Sequence, residues 1–452
     1  MKKSYFGLLL VAMFTMFSCN YNEEQVSVNT KETGQEVIVD GKVPLSRAIS
    51  NADFIFRNTE GLGAKKRKVK GVDILTTSNT NSHIANTRSS LNEQEEAVAY
   101  VVNYEDNDGF AILAADTKLP PVISIGDEGN FNTQGFIDFV QNRATRSNSE
   151  IHPAQEVQYA IINNSLLLPP INFNPSLLAT DTTILLKCMP LVRTKWDQGW
   201  PYNYYSFNSD NEQTAAGCVP VAGAQTLASL CFHHNWRPTV QLSEDYYIDW
   251  YKINRMIFNG IYQLNGNITD DVMAVASLIR AVGEDIGADY DNFYPNVVSD
   301  NIHLVETFQK LGMTGLAHGN ETSSTPITRD NLFNMIVNKN YPIPTQASRS
   351  DSDSYGHSFI LDGWLRLEYS LLGYRQGEII IRSTSMNDNT QHTFDLVHVN
   401  FGWRGENDGY YLPDAFDLTA DKYREYAEEG DIDIYKPKVY DLNVQYLTYK
   451  LP

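Results

Sequence analysis

Hydrophobic periodicity changes part-way along residues 188–452, and this change constrains the fold more than any other feature of the chain. Helical spacing of apolar residues begins at Cys218, and a second helical pattern is expected to end at Gly283. Strand signals follow over residues 357–361, 378–381, 394–400 and 440–449. Helices that precede strands within one unit are typical of an α+β fold. We therefore predict that residues 188–452 form an α+β domain with a helical part followed by an antiparallel β part.

Residues 45–146 are predicted to form a smaller α+β domain of their own. Two strand patterns, 97–104 and 110–115, flank an Asp-Gly turn and indicate a hairpin. A further strand and a short helix are expected to follow it. Residues 147–187 are assigned to an activation or connecting region between the two domains.

The first residues of the chain resemble an export signal. Two lysines precede an apolar stretch over residues 6–17, which a serine and Cys19 follow directly. Twelve apolar residues are too few to cross a bilayer comfortably, so we predict a cleaved signal peptide over residues 1–18. The cysteine resembles that of the bacterial lipoprotein lipobox, which makes Cys19 the predicted lipidation site at the start of a polar tether, 19–44. Simple secretion is the alternative, and both place the protein in the cell envelope or outside the cell.

The overall charge limits the partners of the protein. The formal net charge is −20 and the isoelectric point is near 4.8. Nucleic-acid binding requires basic stripes that displace counterions from phosphates, so we expect no nucleic-acid partner. The acidic total also disfavours attachment to anionic lipids, which leaves the N-terminal lipid anchor as the predicted membrane contact.

Four cysteines occur, at positions 19, 188, 218 and 231. Their spacing matches no zinc motif, and we predict neither a metal nor another cofactor. Lipidation of Cys19 leaves three thiols, so at least one is free in an exported protein. The sequence leaves open whether Cys188 and Cys231 form a disulfide.

Cys218 combines the features of a nucleophilic thiol. It follows Gly217 at the start of the predicted helix, where unpaired amides and the helix dipole favour a thiolate and are expected to lower the pKa of the thiol. Gly217 permits a sharp turn that keeps the sulfur accessible, and Pro220 suits the first helical turn. A small buried thiol within a helix is the alternative interpretation of these residues.

A thiolate nucleophile needs an imidazole as acid and base, and His357 is the predicted one. It stands after Gly356, which leaves room for a substrate, on a strand that Asp362-Gly363 are expected to end in a turn. Strand alternation places Asp362 on the opposite face, which makes it a poor partner for the ring. His398 is the rival base, and its alternative role is that of a packed strand histidine.

Two amide side chains complete the predicted site. Asn400 can accept the second ring N–H of His357 and fix its tautomer without adding charge. Gln198 lies between aromatic residues before a Gly/Pro turn. Together with the Cys218 backbone amide, Gln198 is predicted to hold the oxyanion of a tetrahedral intermediate. An ordinary loop amide is the alternative role of Gln198.

Four short segments occur in the order found in streptopain-like cysteine peptidases, a family of the papain-like clan. They are Lys195–Asn203, Gly217–Gln225, Gly356–Gly363 and His398–Gly409. The predicted hairpin is also similar to that family's inhibitory propeptide, so that the resemblance covers roughly residues 95–415. It implies a papain-like two-subdomain fold, hydrolysis of protein or peptide substrates through an acyl-enzyme, no metal, and a propeptide that inhibits its own peptidase domain.

The resemblance also assigns roles to individual positions. Cys218 and His357 match the family's catalytic dyad, Gln198 its oxyanion residue and Asn400 the amide near the histidine. The residues expected to line the substrate site are Gly217, Gly356, Phe401 and Trp403.

Three positions depart from the family pattern. Pro220 replaces a small alanine, Phe401 replaces a tryptophan, and Arg404 interrupts a Gly-Trp-Gly-Gly run. Phe401 retains an aromatic wall beside the imidazole, so we expect activity to survive. Arg404 is expected to affect substrate preference.

Two other functions remain open on the sequence alone. A catalytically inactive surface binding module would retain the fold without turnover, and a cell-wall peptide amidase would use the same Cys/His pair on peptidoglycan. Alkylation of the thiol separates the first from a peptidase, and casein digestion against muropeptide release separates the second. The predicted function is that of a secreted cysteine endopeptidase made as a zymogen.

Overall fold

The computed structural model describes most of both predicted domains. The described residues are 41–59, 66–80, 96–141, 152–168, 177–291, 300–349, 356–375, 378–380, 392–416 and 442–452. The predicted signal peptide, residues 1–18, and the predicted lipidation site Cys19 lie outside the described residues.

Helices precede most of the strands in the larger domain, whereas the smaller domain mixes the two, which confirms the α+β fold class. The helices are α1 (Leu45–Thr59), α2 (Thr133–Gln141), α3 (Pro153–Leu166), α4 (Cys218–His234), α5 (Trp250–Phe258), α6 (Asp270–Asp285), α7 (His303–Lys310) and α8 (Arg329–Phe333). The strands are β1 (Val69–Thr76), β2 (Ala97–Tyr104), β3 (Phe110–Ala114), β4 (Val122–Gly126), β5 (Leu177–Cys188), β6 (Thr314–Gly319), β7 (Ile343–Arg349), β8 (Gly356–Arg375), β9 (Glu378–Ile380), β10 (His392–Asn400), β11 (Gly409–Tyr411) and β12 (Leu442–Lys450).

The strands form one antiparallel sheet that continues from the smaller domain into the larger one. Its order is β1-β2-β3-β4-β11-β10-β8-β7-β12-β6, and β5 and β9 pair with β8. At the junction of β4 with β11, Gly409 pairs with Gly126 and Tyr411 pairs with Ser124. A side chain on Gly409 would lie 2.0 Å from the Ile125 carbonyl oxygen, so this close approach requires glycine. The smaller domain therefore docks edge to edge on the larger one.

Helix α4 is the buried centre of the helical part, and it fixes the position of Cys218. Every residue from Val219 to Cys231 is buried, so this helix packs on all sides and not along one stripe. It contacts α5, α6 and β8. The elements that carry Cys218 and His357 are therefore packed against each other.

Two glycine positions differ from the sequence-based expectation. Helix α6 continues through Gly283, where a side chain would lie 2.1 Å from the Tyr290 hydroxyl oxygen, so this glycine serves packing and does not end the helix. Strand β8 continues past Asp362-Gly363 and does not turn there. A side chain on Gly363 would lie 2.9 Å from the His398 Cβ, so this glycine also permits close packing.

Residues 147–187, predicted as a connecting region, contain two regular elements where the structure describes them. Helix α3 is almost completely buried: Gln158 donates a hydrogen bond to the Tyr411 hydroxyl, and Asn164 donates one to the Ala415 carbonyl. Strand β5 pairs with β8 along its length. This region packs as part of the fold, while the predicted domain boundaries stay predictions.

Two further questions from the sequence concern the membrane and the cysteines. Over the described ranges, no helix is both long and apolar enough to cross a bilayer. Cys231 is a free, buried thiol, so it does not form the disulfide with Cys188 that the sequence left open.

Candidate active site

Cys218 is the first residue of α4, and Gly217 sets its orientation. Gly217 adopts a φ of +92°, in the left-handed region that favours glycine. The turn places the sulfur against the backbone amides of Ser358, Val219 and Cys218 itself. The predicted start of a helix at Cys218 is confirmed.

The ionisation of the thiol differs from the sequence-based expectation. Burial raises the pKa of the Cys218 thiol, and the neighbouring backbone amides offset this only in part. The residue retains some surface exposure, but protein packs densely around its sulfur. Cys218 is therefore a neutral thiol in this state, because loss of solvent outweighs the effect of the helix amides.

His357 lies near the start of β8 and is enclosed by aromatic rings. Its Nε2 donates a hydrogen bond to the Phe401 carbonyl oxygen at 2.7 Å, which fixes the tautomer and leaves Nδ1 as an acceptor. The rings of Phe359 and Phe401 stack on it with centroid distances of 6.5 and 6.3 Å. Burial lowers the pKa of His357 to about 4, against the opposing effect of the Phe401 carbonyl. The ring is therefore neutral near neutral pH.

The Cys218 thiol contacts the residue next to His357, and the thiol and the imidazole each have a partner of their own. The Cys218 sulfur faces the amide of Ser358, the residue directly after His357 in β8. The His357 ring donates to the Phe401 carbonyl. A neutral thiol beside a neutral imidazole is an unactivated pair, because the attacking species is the thiolate.

Asn400 does not orient the imidazole as the sequence suggested, because its amide is engaged elsewhere. Its Oδ1 accepts hydrogen bonds from Gln225 Nε2 and from the Gly402 amide, both at 3.0 Å. Its Nδ2 donates to the Thr194 carbonyl at 3.1 Å. The two accepted bonds use both lone pairs of the amide oxygen, and the carbonyl of Phe401 takes the ring N–H instead. Asn400 therefore fixes the loop that carries the ring's acceptor.

Gln225 is a site residue whose role the sequence did not indicate. It is fully buried on α4, and its Oε1 accepts from Thr194 Oγ1 at 2.9 Å and from the Trp196 amide at 3.1 Å. With its bond to Asn400, it connects the nucleophile helix to two loops of the site. The one sequence signal that could have indicated this role is the position of Gln225, two helical turns after Cys218 and on the same face of the helix.

Gln198 lies in a loop next to the nucleophile. Its backbone amide donates to Asp197 Oδ1 at 2.6 Å, and its carbonyl accepts from the Ala216 amide at 2.7 Å. Asp197 is held in turn by Arg404, whose Nε donates to Oδ2 at 2.7 Å. These bonds fix the loop against the segment that leads into Cys218. The oxyanion role of the Gln198 side chain stays a prediction.

The remaining predicted substrate-site residues lie around the dyad, and one of them is covered. Gly356 begins β8, and Phe401 stacks on His357. Trp403 contacts His152, with 3.4 Å between the two ring centroids. The His152 ring also lies 6.5 Å from the His357 ring. Because His152 directly precedes α3, the segment after the smaller domain crosses the site, a feature that no sequence signal indicated.

His398, the rival base, has carboxylate partners on both ring nitrogens. Its Nδ1 bonds with Asp362 Oδ1 at 2.6 Å, and its Nε2 bonds with Asp127 Oδ2 at 3.1 Å. Burial alone would lower the pKa of His398, but Asp362 and Asp127 raise it to about 10. A ring that stays protonated at neutral pH cannot serve as the base. Asp362, expected to form a turn, is instead the buried partner of this ring.

Comparison with known families gives two matches, one in the larger domain and one in the smaller. Residues 196–411 match the Peptidase C10 family, and residues 65–146 match the Spi protease inhibitor. The first range contains Cys218, His357 and Asn400, and the second contains strands β1 to β4 and helix α2.

The individual relatives share between 19% and 23% of their residues with this chain over the matched regions. The thiol protease/hemagglutinin PrtT of Porphyromonas gingivalis is 23% identical over 345 residues, or 71% of this chain, and the chain spans 34% of the length of that relative. A fragment of prointerpain A from Prevotella intermedia superposes with a TM-score of 0.43 at 19% identity, covering 81% of this chain and 100% of that chain. The active interpain A cysteine protease gives a TM-score of 0.36 at 19% identity, covering 58% of this chain and 94% of that chain.

The family matches and the thiol-protease relative define the class of the matched region: residues 196–411 are similar to cysteine-type peptidases, which are hydrolases. Together they support a streptopain-like cysteine peptidase over residues 196–411, preceded by an inhibitory propeptide of the Spi type over residues 65–146. We call residues 45–146 the propeptide and residues 188–452 the peptidase domain.

Proposed function

We propose that the chain is an exported cysteine endopeptidase, made as an inactive precursor, that hydrolyses peptide bonds of proteins. Cys218 is the nucleophile, His357 is the general acid and base, and Gln198 with the Cys218 backbone amide binds the oxyanion. The observation that carries the proposal is the contact of the Cys218 sulfur with the Ser358 amide, because Ser358 directly follows His357 in β8.

The proposed reaction begins when His357 Nδ1 takes the proton of the Cys218 thiol. The thiolate attacks the carbonyl carbon of a peptide bond, and the electron pair of the carbonyl moves to its oxygen. The C–N bond then breaks, His357 gives its proton to the leaving amine, and a thioester on Cys218 remains. The ring next takes a proton from water, and the water oxygen attacks the carbonyl carbon of the thioester. The C–S bond then breaks, the acid product leaves, and the ring returns its proton to the Cys218 sulfur.

The Phe401 carbonyl has a defined part in this cycle. It keeps Nε2 protonated, so that Nδ1 is the nitrogen available to the thiol. The Phe401 amide is itself held by Asp408 Oδ1 at 2.7 Å, and the preceding Asn400 is held by Gln225. A fixed carbonyl dipole orients the ring and stabilises the imidazolium as it forms.

Latency of the precursor is proposed to arise from the propeptide and from α3. His152 covers Trp403 and lies beside the His357 ring. Burial keeps both Cys218 and His357 neutral by raising the pKa of the thiol and lowering the pKa of the ring. Removal of the covering segment admits water, which favours the thiolate–imidazolium pair.

The activating cut is proposed to fall between residues 145 and 187, where Arg146 and Lys187 are the candidates. Arg146 lies outside the described residues. Lys187 pairs with Leu365 within the sheet, and its ammonium donates to the Asn58 carbonyl of the propeptide at 2.8 Å. Cleavage at Lys187 therefore requires β5 to leave the sheet first, because a peptidase binds its substrate as an extended, unpaired segment.

Incubation of the purified precursor tests the proposal. Wild type and Cys218→Ala are incubated side by side, and the products are analysed by gel and N-terminal sequencing. We expect a reduction in size only in the wild type, with a new N-terminus between residues 145 and 188. The same pattern of fragments in both samples would contradict self-processing.

Two further assays separate the proposal from the alternative functions. A peptidase releases soluble peptides from casein, whereas a cell-wall amidase releases muropeptides. An inactive binding module does neither, and iodoacetamide alkylates its thiol no faster than an ordinary buried cysteine.

Export and lipid anchoring are proposals that rest on residues 1–19. Membrane fractionation with a radiolabelled fatty acid tests them in a bacterial host. We expect label and membrane association in the wild type and neither in Cys19→Ser. Equal labelling of the two proteins would contradict lipidation at this residue.

A further inference from the structure

A second cluster of titratable groups lies where the propeptide meets the peptidase domain: His398 and Asp362 are buried, the Asp127 side chain is 39% exposed, and the proposed reaction does not use them. His398 stands at its centre, with Asp362 on one side and Asp127 on the other. Asp127 belongs to the propeptide and directly follows β4, whereas the other two belong to β10 and β8. Among the described residues, no group of three or more His, Cys, Asp or Glu side chains is arranged to hold a metal ion.

The peptidase domain holds its half of the cluster rigidly. Asp362 bonds to His398 Nδ1 through Oδ1 at 2.6 Å and accepts from the Val192 amide through Oδ2 at 2.8 Å. Both side chains of the pair are buried. Gly363 packs against the Cβ of His398 with no room for a side chain. The ring is therefore fixed with its Nε2 directed at the propeptide.

The propeptide meets this nitrogen with a residue that is itself fixed by backbone pairing. Asp127 Oδ2 lies 3.1 Å from His398 Nε2, and the Asp127 amide donates to the Asp408 carbonyl at 2.8 Å. That amide bond extends the β4–β11 pairing by one residue beyond Gly126 and Gly409. Asp127 thus contacts the peptidase domain through both its main chain and its side chain.

The charge balance of the cluster depends on Asp127. The groups that face His398 are Asp362 from β8, Asp127 from the propeptide, Asp408 before β11, and Tyr410 on β11, whose ring centroid lies 5.0 Å from the imidazole. Burial acts to lower the pKa of His398, and the carboxylates of Asp362 and Asp127 raise it to about 10. A buried cation that loses a hydrogen-bonded carboxylate is strongly destabilised.

We infer that Asp127 is the residue by which the peptidase domain recognises and retains its propeptide, with the His398–Asp362 pair as the receptor. The inference deepens the proposed function and rests on the propeptide being the inhibitor of this peptidase. The partner that fits the receptor is an extended strand that adds to the β11 edge and carries a carboxylate directly after its last paired residue.

A neighbouring ion pair provides the matched control. Glu128 of the propeptide contacts Lys195 of the peptidase domain, and their side chains are 47% and 33% exposed. Exposed pairs contribute little, because solvent screens them and ordering two long side chains costs entropy. Glu128→Gln therefore removes a charge pair from the same junction without disturbing a buried cation.

Hydrogen exchange on the full-length Cys218→Ala precursor tests the inference without any peptidase turnover. Asp127→Asn is expected to speed amide exchange in peptides covering β4 and β11 about tenfold, because it removes one carboxylate partner from the buried His398 cation. Glu128→Gln is expected to change it by less than about threefold. Exchange in α4 serves as the control for global folding, and equal effects of the two substitutions at the junction would overturn the inference.

A double substitution checks that the effect passes through His398. When His398→Gln is already present, Asp127→Asn is expected to add less than about twofold to the exchange rate, because the shared interaction is then absent. Independent, additive effects of the two substitutions would contradict the inference.

Self-processing of the active precursor provides the second measurement. Asp127→Asn should be processed about tenfold faster than wild type and yield a mature enzyme of the same specific activity, because Asp127 leaves with the propeptide. Equal processing rates would contradict retention by Asp127. A failure of every variant to process contradicts the proposed function, and the exchange measurement on the Cys218→Ala precursor then decides the inference alone.

Discussion

Two histidines of the peptidase domain are buried to the same degree and carry opposite charge states. His357 is 2% exposed and His398 is 3% exposed. Burial lowers the pKa of His357 to about 4, whereas carboxylates raise the pKa of His398 to about 10 despite its burial. The difference lies in the partners, because His357 meets a neutral backbone carbonyl and His398 meets two carboxylates.

The comparison shows how burial can keep a reactive group silent or hold a charged junction together. A neutral ring on a neutral acceptor is free to gain and lose a proton once solvent returns. A ring fixed as an imidazolium between two carboxylates cannot act as a base, but it binds the groups around it firmly. These charge states favour His357 for the proposed catalytic role and His398 for a structural role.

The largest expected effect is on turnover, and it follows substitution of His357. His357→Gln should lower casein turnover about a thousandfold, because it removes the proposed general acid and base. The variant cannot be expected to process itself, so mature wild-type enzyme is added in trace amounts to cut it before assay. Retention of more than about a tenth of the wild-type turnover would assign the base to another residue.

The second effect concerns stability and is expected at the other ring. His398→Gln in the Cys218→Ala precursor should lower the free energy of unfolding by roughly 3–5 kcal/mol, because it leaves the buried Asp362 carboxylate without its cation. Urea titration measures the loss. His357→Gln in the same background is the control, and a loss of equal size there would remove the distinction between the two histidines.

A third prediction uses Asp408, which is buried beside the His398 cluster. Burial raises the pKa of Asp408 to about 7, so the folded precursor keeps a proton that the unfolded chain releases near pH 4. The contribution of protonated Asp408 to the free energy of unfolding is therefore lost as the pH rises from about 4 to about 7. We expect Asp408→Asn to change the free energy of unfolding more favourably at pH 8 than at pH 5. The difference between the two changes should be roughly 1–4 kcal/mol. Urea titrations at the two pH values measure it, and an equal effect at both would refute the assignment.

The smallest effect is expected at an exposed ion pair near the catalytic centre. Arg404 adopts a φ of +54°, and its guanidinium contacts Asp197 with 43% of its side chain exposed. Arg404→Gly should change the free energy of unfolding by less than about 1 kcal/mol, because the loss of a screened pair is offset by relief of the left-handed conformation. Thermal unfolding measures the change, with Arg404→Ala as the control that loses the pair and keeps the strain.

Local sequence patterns were sufficient for the elements that carry the chemistry. The start of α4 at Cys218 and the strand that begins before His357 follow from apolar spacing and from the glycines that precede each residue. The hairpin of β2 and β3 was likewise indicated by its Asp-Gly turn chemistry.

Features that depend on distant contacts could not be predicted in this way. Asp362 looked like a turn residue because its partners, His398 and the Val192 amide, come from other parts of the chain. Asn400 looked like the orienting amide because its saturation by Gln225 and Gly402 is visible only in three dimensions. The raised pKa of the Cys218 thiol depends on burial in the assembled fold, which a helix start alone does not reveal.

The most direct test of the central claim is the pH dependence of Cys218 alkylation before and after processing. Iodoacetamide labelling is followed by peptide mass spectrometry, with the buried Cys231 thiol, whose pKa burial raises to about 11, as an internal reference. In the precursor we expect labelling of Cys218 to rise about tenfold per pH unit from pH 6 to 9, as for a neutral thiol. In the processed wild-type enzyme we expect fast labelling of Cys218 at a rate that is nearly constant from pH 5 to 8, because His357 pairs with the thiolate after processing. In processed His357→Gln we expect slow labelling of Cys218, because this partner is absent. A steep pH dependence that is unchanged by processing would contradict the account.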